Sequence, residues 1–232
     1  MTDSQMLFAV ELQLYLPITV LLGLPRVCSC ADPIDVRGYH LLKCHLTDAD
    51  KKRHDLINNF IAKTLRRMHI MATMEPMHKY PDNPAARADG ELAFISAAGL
   101  IEYDVVVSNP LRGDGNELAR NANQAGAQTK QAEKDKRDKY VNNGLLRRAD
   151  NPKLFVLALE TFGRRGKEFT AFLKLMAKTG EQTGYGEKWK FWQREVPKIN
   201  AMLMLGNFNK AIAVRAHVMA DLADRYRHVD FH

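Results

Sequence analysis

Ile101-Glu102-Tyr103-Asp104-Val105-Val106-Val107-Ser108 is the stretch on which the fold turns. β-Branched and aromatic residues dominate residues 100–108, the composition of a strand. Three consecutive valines leave no polar face, so this strand is expected to be buried on both sides. Asp104 interrupts the run. A carboxylate inside an apolar strand must be paired or must hold a metal, because burying it alone is costly. A buried salt bridge with an arginine is the plainer alternative.

On the N-terminal side, residues 91–96 read as a second strand, and Ala97-Ala98-Gly99 as a tight connection. The two strands form a hairpin that can bring Asp89 near Asp104. Residues 80–88 hold Pro81, Asp82, Asn83 and Pro84 and read as a loop. Residues 70–77 are apolar and strand-like. In residues 50–69, Leu56, Ile57, Phe60, Ile61 and Leu65 recur at helical spacing, with Thr47 or Asp48 as the cap. On the C-terminal side, residues 116–140 read as one long helix. Residues 154–160 read as another buried strand, 163–166 as a basic loop and 168–177 as a helix. Gly180, Gly184 and Gly186 suggest a linker. Residues from 189 onward read as helical, interrupted at Pro197 and Gly206. This order predicts an α/β fold, a small mixed central sheet flanked by helices.

The 232 residues carry 34 Lys and Arg against 27 Asp and Glu, a net charge of +7, which suits a nucleic-acid partner. With 46% hydrophobic and 26% charged residues, the chain is too apolar for a disordered tail and too charged for a membrane bundle. Three cysteines exclude a disulfide scaffold. Residues 12–24 are apolar but shorter than the roughly 20 residues a bilayer span requires. Asp3 and Glu11 precede them rather than basic residues, which argues against a secretory signal. A buried helix or an edge segment packing on the core is expected there, in an intracellular, non-secreted chain with no membrane partner.

Two carboxylates, Asp89 and Asp104, with a backbone carbonyl and waters make an oxygen-rich site that suits Mg²⁺. Such an ion activates water and stabilises the charge of phosphodiester hydrolysis. Lys136 and Lys139 in the following helix share a face, and one aimed at the carboxylates would neutralise a phosphate. A charge run on a helix is, alternatively, a solvated face. Cys28, Cys30, His40 and Cys44 form a chemically sound Cys₃His zinc set. His45 rivals His40, and free buried thiols are the alternative. Arg147, Arg148, Arg164 and Arg165 lie in predicted loops suited to phosphate contacts. Trp189, Phe191 and Trp192 suit base stacking or, more simply, helical core packing.

Taken in order, Cys28-Ser29-Cys30, Gly38-Tyr39-His40-Leu41-Leu42-Lys43-Cys44, Arg53-His54-Asp55, Glu75-Pro76, Arg87-Ala88-Asp89, Asp104-Val105-Val106-Val107 and Lys136-Arg137-Asp138-Lys139-Tyr140 make a pattern. It resembles the restriction-like endonuclease (PD-(D/E)xK) domain of site-specific non-LTR retrotransposons, with the zinc knuckle that precedes it. The resemblance covers residues 12–166. It implies a restriction-endonuclease-like core and divalent-metal cleavage of DNA that primes reverse transcription. Asp89 and Asp104 would be the metal carboxylates, with the carbonyl of Val105 as a backbone ligand and Mg²⁺ or Mn²⁺ as the ion. Related nucleases place a lysine two residues after the second acid. Val106 stands there, so Lys136 is the first candidate and Lys139 the second. Glu75 is a further acidic candidate, and Glu160 would line the same cleft. Where the family has a proline before the first acid, this chain has Ala88.

The expected organisation is an apolar segment over residues 1–27, a zinc-knuckle-like segment over 28–45, the nuclease core over 46–180 and a helical appendage over 181–232. The zinc would be structural and would present Lys43, Lys51, Lys52 and Arg53 toward nucleic acid. DNA is the implied partner, with element RNA and a homodimer as further expectations, and a nuclear or other intracellular setting. No polymerase motif is visible, so the chain resembles a C-terminal piece of a longer element. The alternative function is a catalytically inactive nucleic-acid-binding module derived from such an element.

Overall fold

The computed structural model describes residues 1–77, 80, 87–93, 99–111, 115–142 and 152–227. Its elements in chain order are α1 (Asp3–Gln13), a 3₁₀ turn (Thr19–Leu21), α2 (Tyr39–Lys43), α3 (Ala49–Arg67), β1 (Ala72–Met74), β2 (Gly90–Leu92) and β3 (Ile101–Ser108). There follow α4 (Gly115–Asn123), α5 (Ala127–Arg137), a π turn (Asp138–Asn142), β4 (Lys153–Glu160), α6 (Lys167–Gln182), α7 (Lys188–Arg194) and α8 (Val196–Arg227). The chain forms two compact units, one of Met1–Leu56 with Ala201–His232, the other Ile57–Asn200. The divisions fall inside α3 and α8.

The Ile57–Asn200 unit is built on a four-stranded mixed sheet in the order β1-β2-β3-β4. The first two pairings are antiparallel, and β3 with β4 is parallel. Register sets Gly90 opposite Tyr103 and Asp104 opposite Val156. Glu102, Asp104 and Val106 therefore share a face with Leu154, Val156 and Ala158. That face packs against α5 and the π turn, where Tyr140 joins Leu154, Val156, Ala158, Val106 and Ala132 in one apolar cluster. On the opposite face, Tyr103 and Phe155 both meet Phe172 of α6, with ring centroids 5.5 and 5.7 Å apart. Phe60 and Leu65 of α3, Met68 just after it and Phe191 of α7 help line an apolar cavity beside Phe172. β3 is covered from both sides over Ile101–Val105, but Val106 and Val107, two of the three valines that led to the expectation of a strand buried on both faces, are only half-buried.

Several expected elements differ. Residues 116–140 are two helices, because Gly126 adopts φ +78° and turns the chain between α4 and α5. That left-handed conformation is one glycine reaches without strain. The strand expected over residues 70–77 is only β1, ended by Glu75 at φ +44°. Of the strand expected over 91–96, residues 94–96 lie outside the described residues, as do residues 97 and 98 of the expected connection. Gly180 does not open a linker but lies inside α6, where a Cβ would come within 2.7 Å of Met68 Cε. Gly206 likewise lies inside α8, where a Cβ would stand 2.6 Å from Arg53 Cγ. Both glycines are set by close packing rather than by chain reversal. Pro197 is the second residue of α8, where its missing N–H costs the helix nothing. The expected 181–232 appendage is divided, since residues 181–200 belong with the sheet and Ala201–His232 with the N-terminal segment.

In the other unit, α1 starts earlier than the apolar run. Thr2 and Gln5 form a reciprocal capping box at its N-terminus. Phe8 and Leu12 are buried, and the Phe8 ring stands edge-on to Phe208 of α8 at 5.6 Å. Among the described residues, no helix is long and apolar enough to cross a membrane.

Candidate metal centre and acid–lysine centre

Cys28, Cys30, His40 and Cys44 converge, and their ligand atoms all lie within 4.8 Å of one another. Local structure explains the convergence. Residues 28–31 make a tight turn, with the Ala31 amide donating to the Cys28 carbonyl and Ala31 at φ +69°. An isolated bridge pairs Val27 with Pro33 across the base of this loop. The Asp35 carboxylate then accepts from the amides of Arg37, Tyr39 and His40, which starts α2 and carries His40 into the cluster.

The distances suit a tetrahedral ion. Cys28 Sγ and Cys44 Sγ are 3.9 Å apart, and Cys30 Sγ is 3.5 Å from His40 Nε2. With Zn–S near 2.3 Å and Zn–N near 2.0 Å, tetrahedral edges are roughly 3.8 Å between sulfurs and about 3.5 Å from sulfur to nitrogen. His40 Nδ1, turned away from the thiols, faces Asp32 Oδ2 at 3.7 Å, the direction from which a carboxylate orients a ligating histidine. Burial lowers the His40 pKa, favouring the neutral ring that ligates metal. Burial likewise pushes the Cys28 thiol up to about 12, and Cys44 upward, so a bound cation is what would turn them into thiolates. The four residues have the donors and spacing to hold a metal ion, compatible with structural zinc. His45, the rival ligand, is exposed and stands 3.8 Å from Asp50 instead.

The second centre lies on the sheet face under α5. One step beyond the Gly90–Tyr103 pair, the Asp89 amide donates to the Tyr103 carbonyl, and this extension of the ladder sets Asp89 across from Asp104. Asp89 Oδ2 accepts from the Val105 amide at 2.6 Å. Its carbonyl accepts from the Glu75 amide and from Asn58 Nδ2 of α3. Asp104 is 2% exposed, and Lys136 Nζ donates to its Oδ1 at 2.8 Å. Burial, and then the charge of Asp89, raise the Asp104 pKa, with Lys136 and Tyr140 opposing them. The alternative partner for Asp104, an arginine, is replaced by this lysine.

The remaining expected residues fall as follows. Lys139 is exposed, and its ammonium lies 5.3 Å from the Tyr140 ring centroid. Val106, where the resemblance would call for a lysine, packs in the apolar cluster. Glu75 pairs with Arg87 at 3.1 Å. Glu160 is buried at the far end of β4, opposite Ser108, with Arg164 Nε 3.6 Å away. It lies four residues beyond Val156, roughly 13 Å along the strand from the level of Asp104, so it does not line the same cleft. Arg53, expected to face nucleic acid, is buried. Its guanidinium donates to Asp50 and Asn207, and the buried ammonium of Lys210 shares the same Asp50 oxygen. Arg164 is exposed, and Arg165 is half-buried. Arg147 and Arg148 lie outside the described residues. Phe191 is in the core, whereas Trp189 is 53% exposed.

Sequence reasoning did not single out Asn58 or Asp35, and Tyr140 entered only as the last residue of the Lys136–Tyr140 stretch. Asn58 sits among the apolar positions of a helix, which is the one hint it carries. The chain matches no protein-family model and no curated protein.

Proposed function

We propose that the chain is a divalent-metal-dependent DNA endonuclease, with a restriction-endonuclease-like core in residues 57–200 and a retrotransposon-derived target-nicking role inside the cell. One observation carries this reading. Asp89, Asp104 and Lys136 come from a loop end, a strand and a helix, and meet on one sheet face with Lys136 on Asp104. Two acids with a lysine are a donor set for a hard cation and a phosphate. Burial, and then repulsion from Asp89, raise the Asp104 pKa, and a divalent cation would relieve that repulsion.

Asp89, Asp104 and the Val105 carbonyl would hold Mg²⁺ or Mn²⁺, which supplies an acidified water and neutralises developing phosphate charge. The chain's own groups do the rest. The Val105 amide orients Asp89, and Asn58 and Glu75 fix the main chain that carries it. Lys136 holds positive charge against Asp104, on a stem flexible enough to reach a phosphate. Structural zinc at Cys28, Cys30, His40 and Cys44 would brace the other unit.

Nicking of supercoiled plasmid tests the reading. Wild type should nick with Mg²⁺ or Mn²⁺ and not with EDTA, and Asp104→Ala should lose the activity. DNA binding without nicking under any metal would replace this reading with the inactive binding module.

A further inference from the structure

Two buried cations share one carboxylate beside the Cys/His cluster. Arg53 is 5% exposed and Lys210 1%, and both belong to the unit that contains the cluster. The Lys210 ammonium donates to Asp50 Oδ1 at 2.6 Å, and Arg53 Nη2 donates to the same oxygen at 2.7 Å. Arg53 Nη1 donates to Asn207, a neutral group. Among the described residues, Asp50 is the acid that pairs with either cation. The three side chains therefore hold one positive charge in surplus. A single cation on Asp50 would have made a neutral pair, and burying an unmatched charge is costly.

Asp50 ties this group to the ligands. Its Oδ2 stands 3.8 Å from Nδ1 of His45, the residue after Cys44. The Lys210 charge acts through space on Cys44 and on His40 as well. Other acids around the cluster are matched. Asp32 has Lys43 at 3.8 Å, Asp221 has Arg225 at 2.8 Å, and Asp35 holds the amides that start α2. Metal loading changes the balance. With its thiols protonated the cluster is neutral, whereas Zn²⁺ on three thiolates and a neutral imidazole carries one negative charge.

We propose that Lys210 supplies the counter-charge of the metal centre, the surplus of the Arg53–Asp50–Lys210 group balancing the negative charge that Cys28, Cys30, His40 and Cys44 take on when they hold zinc. This rests on the zinc reading of the cluster and not on the nuclease reading. The effect needs no contact with a ligand atom. At a separation on the order of 10 Å and an effective dielectric of about 20, one unit charge changes a binding constant roughly tenfold.

The test is titration of the full chain with Zn²⁺ against a competing chelator, with Co²⁺ absorption reporting thiolate ligation. All proteins are compared well below their melting midpoints. Lys210→Met removes the surplus and should weaken Zn²⁺ binding about tenfold. Adding Asp50→Asn to that variant restores the surplus through Arg53, so the double variant should recover most of the wild-type affinity although it has lost two more ion pairs. Asp50→Asn alone enlarges the surplus and should bind Zn²⁺ at least as tightly as wild type, a result that remains decisive if Lys210→Met fails to fold. A merely structural role for Lys210 predicts the reverse order, with the double variant the weakest. Wild-type Zn²⁺ affinity in Lys210→Met would overturn the proposal. So would a double variant no tighter than Lys210→Met, or weaker binding in Asp50→Asn. A wild type that binds no Zn²⁺ would overturn the reading of the cluster as a metal centre, and the proposal with it.

Discussion

Lys136 and Asp104 are 32 residues apart in sequence, yet Nζ of the first donates to Oδ1 of the second at 2.8 Å. The acid is 3% exposed at its side chain and the lysine 27%. Removing one member of such a pair strands the other, whereas removing both leaves little behind. Without added metal, Lys136→Met should therefore lose about 3 kcal/mol of stability in urea. The double variant Lys136→Met with Asp104→Asn should recover most of it. Equal stabilities of the single and double variants would show that the contact is not maintained in solution. In the nicking assay Lys136→Met should fall by roughly 10²-fold or more, the scale of a lost electrostatic stabiliser.

The Cys/His cluster makes a stoichiometric prediction. Metal analysis should find one zinc per chain, lost in Cys44→Ser and in His40→Ala and retained in His45→Ala. Stripping the zinc should lower the melting midpoint by roughly 10 °C, since metal binding contributes directly to folding free energy. Retention in His40→Ala with loss in His45→Ala would reverse the ligand assignment.

Arg53 and Arg164 should separate stability from DNA binding. Arg53→Ala breaks the buried contacts to Asp50 and Asn207 and leaves Lys210 with a less well-held acid. It should cost about 3 kcal/mol in a denaturant melt. The salt dependence of DNA binding should not change. Arg164→Ala takes the guanidinium from the buried Glu160, so it too should lower the melt, but unlike Arg53→Ala it should also reduce the slope of log affinity against log salt by about 1. The opposite pattern would place Arg53 on the nucleic acid.

Glu195 gives the Ile57–Asn200 unit a pH dependence. It is fully buried; burial alone would raise its pKa. The hydroxyl of Tyr185 at 2.8 Å, the guanidinium of Arg67 at 2.9 Å and the ammonium of Lys198 outweigh burial, and the pKa falls below its ordinary 4.5. A carboxyl more acidic when folded than when unfolded stabilises the fold above its unfolded pKa, and that stability is lost as pH falls through the folded value. Melting midpoints should drop as pH is lowered from about 5. Glu195→Gln should be less stable at neutral pH and show a flatter acid limb. An unchanged acid limb in that variant would assign the loss to other carboxylates.

Much of this was legible along the chain. The apolar run around Asp104 announced a strand, and alternation disappears where both faces are buried, which holds over Ile101–Val105 and not over Val106 and Val107. The Cys₃His spacing and the two acids were visible as residue types. Gly126, Gly180 and Gly206 were not separable by reading. One turns the chain at positive φ, and two lie within helices where a neighbouring side chain comes too close for a Cβ. A glycine looks the same in sequence whichever of these it serves. Arg53 reads as one more surface base, and only Asn207 and Lys210, more than 150 positions later, make it internal.

The class of the fold, the strand that carries Asp104 and the chemical types gathered at both centres were readable along the chain. Local pattern is enough for these, since periodicity and composition act over neighbouring residues. Tertiary structure set the choices among equivalents: His40 over His45, Lys136 over Lys139, and Asn58 as a group that holds the main chain of Asp89. Those choices depend on which side chains meet across a sheet face or a loop, and sheet register and helix phase set that, not sequence proximity.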